Sequence, residues 1–106
     1  MSEEYYRKIF VVEPSHDLSA LKNYTDNIEL LTTGYENPED LSIKIENNLK
    51  DFDPSTDAFV PIGKLISTML AGMILQRISR NMPIKVGIYK NRTYEFMSIG
   101  EINASR

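Results

Sequence analysis

Asp57-Ala-Phe-Val-Pro-Ile-Gly63-Lys64-Leu-Ile-Ser67-Thr68-Met-Leu-Ala-Gly-Met-Ile-Leu75 is the stretch whose reading decides the fold of this chain. Residues 58–62 form an apolar run too short, and too closely flanked by breakers, to be a helix, so the run reads as a strand. Gly63 interrupts it and an apolar helix pattern follows at once. Strand, glycine and helix in succession make the junction at which α/β proteins place phosphates, because the first amides of a helix lack internal partners and point outward. Lys64 and the hydroxyls of Ser67 and Thr68 stand at that helix start. The bland reading is that the glycine only turns the chain.

The helix in this stretch is apolar on nearly every side: Leu65, Ile66, Met69, Leu70, Met73, Ile74, Leu75 and Ile78. Covering one face of a sheet needs a single stripe. This pattern has enough for two, which predicts a helix that is either central or half in a subunit interface. Met69, Met73 and Met82 supply adaptable side chains of the kind common in such contacts, and a homodimer or higher homo-oligomer is expected.

Upstream, Lys8-Ile-Phe-Val-Val-Glu13 reads as a strand covered on both faces. Pro14 stops it, and a short helical pattern follows at Leu18 and Leu21, with Ser15 or Asp17 available as a cap. Ile28-Glu-Leu-Leu31 is a second short strand ended by Thr32-Thr33-Gly34. Asn37-Pro38-Glu39-Asp40 is a helix start, with a capping residue, a proline in the first turn and acids that suit the dipole. Leu41, Ile45, Leu49 and Phe52 continue that helix as one stripe.

Downstream, Ile84-Lys-Val-Gly-Ile-Tyr89 and Thr93-Tyr-Glu-Phe-Met-Ser-Ile99 alternate and flank the short Lys90-Asn91-Arg92 link, a hairpin pattern. The order β-α-β-α-β-α-β-β implies a small three-layer α/β domain with a mostly parallel sheet and a C-terminal antiparallel hairpin. Residues 1–106 form one domain, with 1–7 and 101–106 expected as flexible tails.

A chain of 106 residues builds one core and not two. It has no cysteine, which excludes disulfides and thiolate metal sites, and a single histidine, His16, which makes a zinc site a poor fit. No apolar leader and no run long enough to span a membrane is present, so the expectation is a cytoplasmic protein without a membrane partner. The net charge of −3 hides an asymmetry. Residues 1–63 carry five Lys/Arg against thirteen Asp/Glu, a balance of −8, and residues 64–106 carry seven against two, a balance of +5. The basic half begins at Lys64, where a local positive field favours a small anionic ligand. The overall acidity argues against a long nucleic acid, which needs a broad basic face.

In an open parallel sheet, ligands bind beyond the carboxyl ends of the strands. The residues that follow the four parallel strands are therefore the candidate ligand-binding set. They are Ser15, His16 and Asp17; Thr32, Thr33, Gly34 and Tyr35; Gly63, Lys64, Ser67 and Thr68; and Lys90 and Arg92. Amides and Lys64 suit a phosphate, Asp17 a ribose hydroxyl and Tyr35 a stacked base. Each also has an ordinary reading: Asp17 as a helix cap, His16 as a polar loop residue, Thr32-Thr33-Gly34 as a strand end, and Tyr35 as packing on the second helix. No GxGxxG, GxxxxGK[ST] or catalytically spaced carboxylate pair occurs. The set converges on binding, with no catalytic residue, metal or cofactor assigned.

The run Val11-Val12-Glu13-Pro14-Ser15-His16-Asp17-Leu18-Ser19-Ala20, with Leu31-Thr32-Thr33-Gly34 and residues 57–63, resembles a set of small α/β proteins of bacteriophages. Across nearly the whole chain the layout is also similar to the viral anti-CRISPR ring nucleases and to phage nucleotide-signal sponges. The ring nucleases are dimers that bind a cyclic oligoadenylate where a strand–Ile-Gly–helix junction meets its mate, and Ile62-Gly63-Lys64 is the matching place. They carry a histidine directly after that glycine as catalytic acid, whereas this chain has Lys64. A lysine holds phosphate but is a poor general acid at neutral pH. The resemblance thus implies binding without efficient cleavage.

The expected function is a viral anti-defence sponge that sequesters a small phosphorylated nucleotide, either a cyclic oligonucleotide or an ADP-ribose derivative. Two alternatives belong to other classes. One is a weak nucleotide phosphodiesterase or ring nuclease using His16 as acid or base. The other is a protein-binding inhibitor with no nucleotide ligand, whose apolar helix and exposed strand edge make the contacts.

Overall fold

The β-branched and aromatic run that opens the chain is buried on both faces, as a strand sandwiched between two layers must be. In the computed structural model, which describes residues 5–15, 18–80 and 82–100, strand β1 spans Lys8–Val11. Phe10 and Val12 pack in one apolar cluster, and Ile9 and Val11 in another on the opposite side. Strands β2 (Ile28–Leu30) and β3 (Asp57–Val60) flank β1 in parallel, with Ile9 opposite both Ile28 and Ala58. Strand β4 (Ile84–Lys90) pairs β3 in parallel, and β5 (Thr93–Ile99) turns back against β4. The sheet order is β2-β1-β3-β4-β5, a mixed five-stranded sheet with the expected C-terminal antiparallel hairpin.

The two helices lie together on one face. Helix α1 (Pro38–Leu49) starts where expected: the Asn37 side chain accepts from the Asp40 amide at 3.0 Å and proline sits in the first turn. Its stripe Leu41, Ile45 and Leu49 is buried with Phe52 against Phe10, Val12 and Leu31. Helix α2 (Leu65–Ser79) adds Ala71, Ile74 and Leu75 to the same cluster. Among the described residues, the other face carries a short 3-10 helix, Leu18–Asn23, whose Leu21 packs with Ile9, Val11, Ala58, Val60 and Tyr94. This division follows from right-handed crossovers, since the step from β1 to β2 and the steps from β2 to β3 and β3 to β4 run in opposite directions along the sheet.

Three expectations need correction. Residues 1–7 are not wholly a free tail: among the described ones, Tyr6 is buried and bridges Thr25, and its amide donates to the Tyr24 carbonyl at 2.7 Å. Arg7 is tied to the start of β3, its Nη2 and Nε donating to the buried Asp57 carboxylate at 2.5 and 3.0 Å. An aromatic ring beside a bare sheet face is driven to cover it, which a count of polar residues overlooks. The third strand ends at Val60, before Pro61, which has no amide hydrogen for a ladder. Helix α2 is not central. Its second apolar stripe faces outward, with Leu65, Ile66, Met69 and Met73 exposed. No helix among the described residues is long and apolar enough to cross a membrane.

Candidate functional site

Strand order places the site. From β1 the chain moves one way along the sheet to β2, and from β3 the other way to β4, so the crevice between the ends of β1 and β3 is the topological switch point. Glu13 leaves β1 there, and Pro61-Ile62-Gly63 leaves β3, with the Glu13 amide donating to the Ile62 carbonyl at 2.9 Å. Gly63 lets the two chains close up: an added Cβ would lie 3.0 Å from Glu13 Cγ and from Val12 Cγ1. Helix α2 begins immediately beyond, with Lys64 at its N-cap.

The β2–α1 loop forms the second wall. Gly34 adopts φ +90°, a left-handed conformation that suits glycine, and its missing Cβ leaves room for Glu13 and the Lys64 ammonium, each 3.4 Å from that position. Lys64 Nζ donates to the Gly34 carbonyl and stands 5.7 Å from the centre of the Tyr35 ring. Tyr35 is 92 % exposed, an aromatic plate at the mouth. Ser67 is buried and its hydroxyl donates to Glu13 Oε2 at 2.9 Å. Between loop, α1 and α2 lies a cleft of about 400 Å³ lined by Gly34, Glu36, Ser42, Lys64 and Ser67 with apolar walls from Leu41, Ile66 and Leu70.

The loop is braced from below. Thr32 Oγ1 donates to Glu36 Oε1 and accepts from the Gly34 amide at 3.1 Å, while the Thr33 amide donates to Glu36 Oε2 at 3.2 Å. The Thr32 hydroxyl and the Thr33 amide stabilise the ionised form, holding the Glu36 carboxyl down to about 2 from 4.5. Lys44 on α1 lies 3.7 Å from the same carboxylate. The cleft therefore mixes sign: the Glu36 carboxylate lines it as an acceptor, while Lys64 and the Ser67 hydroxyl donate, the latter to Glu13 beside it.

Of the candidate residues, Gly34, Tyr35, Gly63, Lys64 and Ser67 come together at this one rim. Thr32 and Thr33 are close but turned to local bonds, Thr33 Oγ1 accepting from the Tyr35 amide at 3.2 Å. Thr68 Oγ1 is buried with no partner among the described residues. Lys90 and Arg92 sit at the hairpin tip, on the same side of the sheet as the rim but two strands from β1, and neither lines the cleft. His16 and Asp17 lie outside the described residues, and neighbouring Ser15 makes a bonded or electrostatic contact of its own. Glu13 and Glu36 were not in the candidate set, and both shape the site. Among the described residues no group of three or more His, Asp or Glu side chains is placed to hold a metal ion. No protein-family model, curated protein or solved structure matches this chain.

Proposed function

We propose that this protein binds and sequesters a small phosphorylated nucleotide, a cyclic oligonucleotide or an ADP-ribose derivative, in the cleft at the β1–β3 switch point. The observation that carries the reading is the convergence of Lys64, Gly34 and Ser67 on one cleft at the start of α2, with the exposed Tyr35 ring 5.7 Å from the Lys64 ammonium. A ligand phosphate would take the Lys64 ammonium from the Gly34 carbonyl, exchanging a neutral acceptor for a charged one. Glu13, just beyond β1, would accept from ribose hydroxyls, and Tyr35 would stack on a base. The mixed charge favours a ligand with both hydroxyls and phosphate over bare phosphate. Glu36, ionised down to about pH 2, is a poor proton donor at neutral pH, which supports holding over cleaving. In the viral setting that the sequence resembles, such a protein disarms a host nucleotide signal.

Titration calorimetry against ADP-ribose and a set of cyclic oligoadenylates tests this. One of them is expected to bind and to be recovered intact, and Lys64→Ala to weaken it at least tenfold, the value of one charge-assisted contact. Unchanged affinity in Lys64→Ala would overturn the phosphate assignment.

A further inference from the structure

Helix α2 carries one stripe into the core and a second into solvent. Leu65, Ile66, Met69 and Met73 on the outer stripe are between 53 and 77 % exposed. Beside this ridge runs a groove of about 370 Å³, walled by Gly72, Gln76 and Met82 and floored by Ile84, Val86 and Ile99. The floor is the helix-side face of the β4–β5 hairpin, where Ile84 and Val86 are only partly covered by the core cluster they pack against. Met82, Ile88, Met97 and Ile99 are exposed beside the ridge, so large apolar side chains continue from helix to hairpin, the kind of surface that marks an interaction site.

A ridge beside a groove on the same face is self-complementary under a twofold axis: each copy's ridge fills the other's groove. Gly72 marks where the axis would pass. It is the central residue of Leu65–Ser79, and a Cβ added there would meet nothing within 4 Å. The single chain therefore has no steric need of glycine at a position where it weakens the helix relative to alanine. The close approach of a second backbone does need it.

Charge sets the direction. Helix α2 is closed at its C-cap by Arg80, and Arg77 is paired with Glu46 of α1 at 3.2 Å, so a parallel pair of helices would bring the two Arg80 cations together. An antiparallel pair separates them and opposes the helix dipoles. It also brings the partner's Arg80 toward Glu95, which stands on the helix-side face of the hairpin opposite Ile88. We propose that a second copy of this chain docks on this face, each α2 lying antiparallel to the other across Gly72 and seated in the groove against β4 and β5.

Sedimentation equilibrium of the full chain tests this independently of any nucleotide. At about 100 µM the expected mass is twice the 12.2 kDa of one chain. Met73→Lys, a change at an exposed site, should weaken association at least tenfold with an unaltered far-ultraviolet dichroism spectrum. Glu95→Arg should also weaken it, and adding Arg80→Glu should recover most of the loss. A wild-type monomer at that concentration overturns the proposal, leaving the face to a partner of another kind. So does a dimer indifferent to Met73→Lys, or a charge reversal without recovery.

Discussion

Glu36 gathers the Thr32 hydroxyl and the Thr33 amide onto one carboxylate and so sets the conformation of the loop that presents Gly34 and Tyr35. Because its folded pKa lies at about 2, below the ordinary 4.5, the stability it contributes is fully present above pH 4.5 and is lost as the pH falls toward 2. Glu36→Gln is thus expected to lower the thermal midpoint at pH 7, with the difference from wild type narrowing across that window. A difference that stays constant from pH 5 to pH 2 would place the effect elsewhere. At this scale the candidate site was half legible. A lysine and hydroxyls after a strand–glycine junction point to themselves by position, and Lys64 and Ser67 are at the cleft. Glu13 was hidden because it looked like the last residue of a strand that in fact stops at Val11. The signal was available: a carboxylate closing a two-sided apolar run, next to a proline, cannot stay in the sheet and must emerge at its rim. Thr32 and Thr33 show the opposite case, their hydroxyls bonded within the loop, since short hydroxyl side chains bond their own backbone neighbourhood as readily as a ligand.

Among the elements, the hairpin depends on one missing side chain. Gly87 faces Phe96 across β4 and β5, and an added Cβ would fall 2.5 Å from the ring. That ring is held on other sides by Tyr6 and Tyr24, at 5.0 and 5.1 Å between centroids. Gly87→Ala is therefore expected to destabilise the fold by about 2 kcal/mol, the usual range for overpacking. Urea denaturation checks this, and an unchanged midpoint would mean that the ring can retreat. The start and stripe of helix α1 were legible, because cap, proline and apolar spacing are all local, whereas the helix ends at Leu49 and Phe52, read as its last stripe residue, packs from the turn beyond. The hairpin was legible in its alternation, but the link is shorter than the three residues read from the sequence: Lys90 belongs to β4 and pairs with Thr93, leaving Asn91 and Arg92 as a two-residue turn with positive φ, 54° and 66°. Strand ends were less so. Pro61 truncates β3 by a rule that acts on one amide, whereas an apolar pattern extends past it.

For the whole molecule, the start of the chain is fastened to the middle by Arg7 and Asp57. Asp57 is fully buried and also accepts from the Thr56 hydroxyl at 3.1 Å and the Asp53 amide at 2.9 Å. Arg7→Ala leaves that carboxylate without its cation and should destabilise the fold by about 2 kcal/mol, toward the low end for a broken buried pair because the arginine is itself half exposed. Urea midpoints measure it, and a loss below about 0.5 kcal/mol would mean that water replaces the guanidinium. Strand order was not legible from the sequence. The succession of strands and helices restricts the topology, yet which strand sits in the centre depends on contacts between residues far apart in the chain.

The ladder between β3 and β4 is narrow. Two residue pairs, Ala58 with Lys85 and Phe59 with Val86, join the hairpin to the parallel part of the sheet, while seven pairs hold the hairpin together. Such a sheet has a seam, crossed by two residue pairs and closed on the helix side by Ile84 and Val86 packing on the core. The groove beside α2 lies along it, lined by Phe59 of β3 and by Ile84 and Val86 of β4. Whatever fills that groove therefore acts as a clasp on the seam, and the firmness of the fold rises and falls with its occupancy.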